Sequence, residues 1–149
     1  MVITINIAQQ SLSFKGNCYL ISSAKNGVGE QEGSFCTPIG AFKIADKIGT
    51  DLQVGAVLVG RVPTGEIYTA ELGRQCPDRD WILTRILWLE GLESHNKNTK
   101  ARYIYIHGTP DEEPMGVVGS KGCIRMHNKD MVALFDVVQV GEKVVIIKQ

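Results

Sequence analysis

Residues 101–109 read ARYIYIHGT. Tyrosine and isoleucine alternate from Tyr103 to Ile106 and the run stops at Gly108, the pattern of a strand with either the tyrosines or the isoleucines facing inward. His107 stands at the strand's end, where scaffolds display reacting groups. Working outward, VITINIAQQ (2–10) has Val2, Ile3, Ile5 and Ile7 interleaved with smaller or polar residues, again a period of two. It pairs as a hairpin with CYLISSA (18–24), through a turn at residues 9–11 or 15–17. The stretch KNGVGEQEGSFCTPIGAFKI (25–44) is irregular, with turns at Gly27, Gly29, Gly33 and Pro38–Gly40, and leads into a strand at GAFKI. GAVLVGRV (55–62) is another strand. RDWILTRILWLEGL (79–92) fits helical and strand spacing alike; its Ile, Trp and Thr content and closing glycine favour strand. NKDMVALFDVV (128–138) reads as a helix, with Asn128 as N-cap, Asp130 in the first turn, and Met131, Leu134, Phe135 and Val138 on one face. GEKVVIIKQ (141–149) ends the chain as a strand. About six to eight strands with one or two short helices make a mainly β, sandwich or barrel-like fold, one domain over residues 1–149.

With 149 residues and 44% hydrophobic content, the chain can bury a full core. Sixteen basic residues balance sixteen acidic ones, so charge gives no reason to expect nucleic acid or an anionic membrane as partner. No apolar run approaches the roughly 18 residues of a membrane span. The strand pattern begins at Val2 and no Lys or Arg precedes Lys15, unlike a secretory leader. The expectation is a protein made and kept in the cytoplasm. The four cysteines (Cys18, Cys36, Cys76, Cys123) form no CxxC pair; they fit either two disulfides or, as expected in that compartment, reduced thiols.

The chemistry gathers in GSKGCIRMHNKD (119–130). A thiol attacks as thiolate, so its intrinsic pKa near 8.5 must fall. In an extended segment Lys121 and Arg125 share a face with Cys123 and favour negative charge there. Gly122 lets a substrate approach the backbone, and the amides of Gly122 and Cys123 can point at an oxyanion. The competing reading of Cys123 is a small buried hydrophobe. His107 is the best base, since a neutral imidazole can take the thiol proton; otherwise it caps a strand end. His127 lies beside the helix cap and fits a loop hydrogen bond, and His95 fits a solvated loop. Cys123, His107 and His127 could form three metal ligands, but Lys121 and Arg125 would repel a dication and no fourth ligand is evident. The glycines of 27–33 lack the phosphate-loop pattern. Neither metal nor cofactor is expected.

IHGTP (106–110) followed by GVVGSKGCIRMHNKD (116–130) resembles the catalytic motif of the L,D-transpeptidases, the YkuD-type domain: a histidine, then Ser/Thr-x-Gly-Cys with Arg or Asn two residues on. His107, Ser120, Gly122, Cys123 and Arg125 fill those places. TPIGAF (37–42) resembles a second signature, TPxGxF, and RILWL (85–89) a third. One departure is Lys121, where many members carry histidine. The resemblance implies a β-rich fold with the cysteine in a groove, and acyl transfer through a Cys123 thioester on peptidoglycan stem tetrapeptides, releasing D-Ala with His107 as base and acid. It implies a carbonyl near Gly108 orienting His107, substrate contacts by Arg125, with Ser120, Lys121 and His127 beside it, and covalent inhibition by carbapenems. With a cytoplasmic location, the expected activity is a hydrolytic L,D-carboxypeptidase in murein recycling. The alternatives are an exported transpeptidase making 3–3 cross-links in periplasm or wall, a non-catalytic stem-peptide-binding module, and a general thiol hydrolase or redox protein.

Overall fold

The computed structural model describes all 149 residues. Three short strands open it: β1 (Val2–Asn6), β2 (Ser11–Phe14) and β3 (Asn17–Ser22). Both candidate turns of the N-terminal segment are used, so the expected hairpin is a three-stranded meander. Lys15 (φ 48°) and Gly16 (φ 81°) form the tight second turn. Then come β4 (Gly40–Ile48), β5 (Ala56–Val59), β6 (Val62–Ile67), a one-and-a-half-turn helix α1 (Ala70–Gln75), and the long β7 (Ile82–Gly91). The chain ends with β8 (Tyr105–Thr109), β9 (Ile124–His127), α2 (Asn128–Val137) and β10 (Lys143–Ile147). The ambiguous segment at 79–92 is a strand, as its residue types favoured.

The strands run β4-β10-β1-β2-β3-β9-β8-β7, and β4 pairs again with β7, closing a ring of strands; β5 and β6 extend from β7 outside it. Closure leaves the ring itself without free edges, and β6, paired with β5 alone, is the one strand edge outside it. Two neighbour pairs are parallel, β1 with β10 and β8 with β9. One contiguous core fills the ring, with Ile3, Ile5, Phe42, Leu87, Ile106 and Ile124 among its members. Met131, Leu134 and Phe135 of α2, with Val138 just past its end, belong to the same core, so the helix is buried along the face its spacing indicated.

Some local expectations are settled or change. Of the two alternatives for 103–106 the isoleucines face the main core, and β8 is buried throughout because Tyr105 packs on the other side against Leu58 and Ile86. Tyr103 lies before the strand, left-handed (φ 58°) and 54% exposed. Asn128 is not the cap of α2: His127 holds that position without a side-chain cap bond. Asn128 instead accepts a bond from Thr84 Oγ1 (2.6 Å) and donates to Asp111 (3.2 Å). The other end of α2 is capped from afar by Lys47, whose Nζ donates to the carbonyls of Phe135 (2.7 Å) and Val138 (2.6 Å).

The TPIGAF segment is held by residues 93–96. Gly40 has φ 110°, and a Cβ there would run into the side chains of Glu93, His95 and Asn96. Asn96 is fully buried; its Nδ2 donates to the carbonyls of Ile39 and Ala41 (both 3.1 Å) and its Oδ1 accepts from Glu93 N–H (2.9 Å). His95 also bonds the Ile39 carbonyl (3.0 Å), so it is tied down rather than merely solvated. Asn96→Ala strands these groups, and a loss of about 2–4 kcal/mol in unfolding free energy is expected from the denaturant midpoint, with the slope unchanged.

Candidate active site

Parallel pairing of β8 and β9 aligns Ile106 with Ile124 and His107 with Arg125, which puts Cys123, just before β9, across from Tyr105. The Cys123 sulfur accepts the Tyr105 N–H (3.3 Å) and donates to the Tyr103 carbonyl (3.4 Å). It lines a cleft of ≈ 740 Å³, shared with Arg61, Asp80, Arg102, Tyr105 and Lys121. None of the four cysteines is disulfide-bonded.

His107 is 1% exposed, and its Nδ1 lies 2.6 Å from the Gly108 carbonyl. A carbonyl only accepts, so Nδ1 carries the proton and Nε2 keeps its lone pair. Opposite this pair, β7 breaks register between Leu83 and Ile86. Thr84 forms the irregularity with φ 76°, a costly conformation for a β-branched residue, about 1–3 kcal/mol. Its hydroxyl accepts Gly55 N–H (3.0 Å) while donating to Asn128, which holds the bulge against the His107–Gly108 corner.

The loop before Cys123 is braced on two sides. Ser120 is 2% exposed; its Oγ donates to the Cys123 carbonyl (2.5 Å) and accepts the Gly122 N–H (3.2 Å). Its hydroxyl is therefore engaged within the loop. The same bond uses up the Gly122 amide, so of the two expected oxyanion donors only the Cys123 N–H is left without a protein acceptor. On the other side Thr37, fully buried, donates its hydroxyl to the Gly122 carbonyl (2.9 Å) and accepts Ala24 N–H. Gly122 has φ 131°, and a Cβ there would press on the Cys36 carbonyl and Ile104. Arg102 donates to the carbonyls of Gly29 (3.2 Å) and Cys36 (2.7 Å), and so binds the glycine-rich segment to the cleft wall.

The electrostatics differ from those the spacing suggested. Burial pushes the Cys123 thiol up to about 12; the Tyr105 amide, Arg125 and Arg102 pull the other way and lose. Arg125 is partly spent elsewhere, donating to the Gly119 carbonyl (3.2 Å) and pairing with Asp80 (3.6 Å). Burial likewise lowers the His107 pKa, against the favourable bond to Gly108. Asp80 and Arg125 act on both groups, so the two titrating side chains share one field. At neutral pH the site holds a neutral thiol and a neutral imidazole. Lys121 lines the cleft, whereas His127 does not.

Asp80, Arg61, Tyr103, Tyr105, Arg102 and Thr37 were not singled out as site residues from the sequence. Asp80 and Arg61 reach the site from other parts of the chain, Arg102, Tyr103 and Tyr105 lie in the stretch that leads to His107, and the TPxGxF likeness included Thr37.

The family model for the L,D-transpeptidase catalytic domain (YkuD) matches residues 1–146. YkuD of Bacillus subtilis (strain 168) is 36% identical over 95 residues, 64% of this chain and 50% of that protein. Among solved structures, the L,D-transpeptidase (residues 123–326) from Xylanimonas cellulosilytica DSM 15894 superposes with a TM-score of 0.61 at 16% identity, over 98% of this chain and 59% of the other. L,D-transpeptidase 3 from Mycobacterium tuberculosis, in complex with a faropenem-derived adduct, gives 0.58 at 16% identity, over 99% and 60%. The chain thus spans half the length of this curated relative, and the structural likenesses speak to the fold. Matched over nearly its whole length and sharing the mainly β barrel-like architecture, the chain belongs to the L,D-transpeptidase (YkuD) catalytic-domain family.

Proposed function

We propose that the chain is a cysteine-dependent acyltransferase that cleaves the L,D-peptide bond of peptidoglycan stem tetrapeptides and hands the acyl group to water, as an L,D-carboxypeptidase. The observation that carries this reading is Cys123 at the floor of the cleft, with a neutral, carbonyl-oriented imidazole on the adjoining strand. Cys123 attacks the carbonyl on the L-centre of the third stem residue as its proton passes to His107 Nε2. The Cys123 N–H supplies a donor to the oxyanion. The C–N bond breaks, D-Ala leaves with the proton from His107, and a thioester remains. Water attacks it, giving its proton to His107; the C–S bond breaks, His107 returns that proton to the sulfur, and tripeptide and free thiol are restored.

Both groups rest uncharged, so the reaction starts from a thiol and a base instead of a preformed ion pair. The thiol proton sits toward the Tyr103 carbonyl at rest, and transfer requires the sulfur to leave that bond. Water is assigned as acceptor because it needs no second seated stem. A cytoplasmic place fits hydrolysis of soluble tetrapeptides, and fractionation of the native protein checks it.

Incubation with free tetrapeptide, followed by mass spectrometry, should give tripeptide and D-Ala. Cross-linked dimer as the main product would replace water by an amine acceptor, and would return the protein to the transpeptidases proper. Cys123→Ala should abolish turnover, as well as the one-carbapenem mass gain expected on the wild-type protein. His107→Ala should lower kcat by ~10²–10⁴. Survival of activity in Cys123→Ala would end the thioester reading.

The pH behaviour follows from the two shifts. Because the His107 pKa is lowered, kcat/KM should fall only on the acid side of the ordinary imidazole value of about 6.5. Because the thiol is raised, alkylation of Cys123 in the free protein, followed by peptide mapping, should keep climbing past pH 9 without a plateau. A plateau below pH 8 would show a thiolate already formed at rest.

A further inference from the structure

The cleft holds one arginine whose donors are mostly unspent. Arg61 sits at the tip of the β5–β6 hairpin, where Val59 and Val62 pair around a two-residue turn of Gly60 (φ 56°) and Arg61 (φ 66°). Glycine, Asn or Asp is favoured at such positions, and a long side chain there is kept in left-handed backbone at a cost. The guanidinium lies over the Trp88 ring (4.5 Å to the centroid) and near that of Tyr103 (5.1 Å), and its Nη1 donates to the Tyr105 hydroxyl (3.0 Å). Aromatic stacking holds the fork's plane still and leaves its edge free.

Its charge is also unpaired. Arg79 has Glu66, Arg125 has Asp80 and Lys43 has Glu90, whereas no carboxylate lies within salt-bridge distance of Arg61. Arg102, the other arginine of the cleft, has given its donors to Gly29, Ser34 and Cys36. Tyr105 joins Arg61 to the nucleophile directly: its backbone N–H touches the Cys123 sulfur, and its hydroxyl touches Arg61. The free cation therefore stands one tyrosine side chain from the attacking atom.

We propose that Arg61 is a specificity-determining residue that binds a carboxylate carried by one of the two stem residues flanking the bond attacked at Cys123. This deepens the acyl-transfer reading and rests on it. Two carboxylates have the right chemistry, that of the terminal D-Ala and that on the side chain of a diaminopimelate third residue. A planar, pre-held fork favours bidentate recognition of either.

The test is direct binding to the Cys123→Ala protein, with calorimetric titration of three probes: the diaminopimelate tetrapeptide, the same peptide with its terminal carboxylate amidated, and the same peptide with its side-chain carboxylate amidated. One amide should bind about 10- to 100-fold more weakly than the acid, and this identifies the carboxylate. Adding Arg61→Gln should weaken the acid by a similar factor and leave that amide unchanged; Arg61→Lys should restore part of the difference. Equal weakening of all three probes by Arg61→Gln, with an unchanged melting temperature, would overturn the proposal and leave Arg61 a packing residue. No discrimination between acid and amides by the parent would overturn it too. Binding is read without turnover, so failure of the wild-type protein to release tripeptide strikes the hydrolytic reading alone. Failure of all three peptides to bind the parent would remove both.

Discussion

The parallel pairing of β8 and β9 is the constraint on which the site depends. Parallel neighbours cannot be joined by a tight turn, so the chain must leave His107, travel through residues 110–123, and return alongside. Here the crossover contains no helix. Its backbone is satisfied by the end of β3 instead: Gly116 N–H bonds Ile21, Gly119 and Ser120 N–H both bond Ser23, and Lys25 N–H bonds Ser120. Ser23 is held in turn by buried Gln10, whose side chain bonds its N–H and hydroxyl. The cysteine loop is thus positioned by the N-terminal meander and the residues just after it, more than ninety residues away in sequence.

From that pairing follows the electrostatic character of the site. His107 is buried on β8 and Cys123, just before β9, is half-buried in the cleft wall, so desolvation disfavours charge on each. Arg125, two residues beyond the cysteine, is turned toward Gly119 and Asp80, so its charge is partly matched before it reaches the sulfur. A protonated thiol beside an uncharged imidazole costs less to bury than an ion pair would.

The supports around the pair have a common design. Thr37, Ser120, Asn96 and Thr84 are buried polar side chains that each answer two or more backbone or side-chain groups in otherwise irregular segments. Loops cannot satisfy their own backbone as helices and strands do, and a fixed loop in a β-ring needs such braces. They hold the irregular parts, whereas the apolar core holds the ring.

Much of the fold was legible in the sequence. The period of two marked the first strand, the spacing of Met131, Leu134, Phe135 and Val138 marked the buried face of α2, and IHGTP with SKGC marked two segments that the pairing of β8 and β9 brings side by side. These are properties of neighbours along the chain, governed by pleat, helical pitch and turn stereochemistry. The tertiary structure decided the rest: that Lys47 caps α2, that Thr37 holds Gly122, that Ser120 turns inward, that Arg61 enters the cleft, and that the thiol pKa rises when flanking cations suggested it would fall. Each of these depends on a partner tens of residues distant or on exclusion from water, and neither quantity is carried by local spacing.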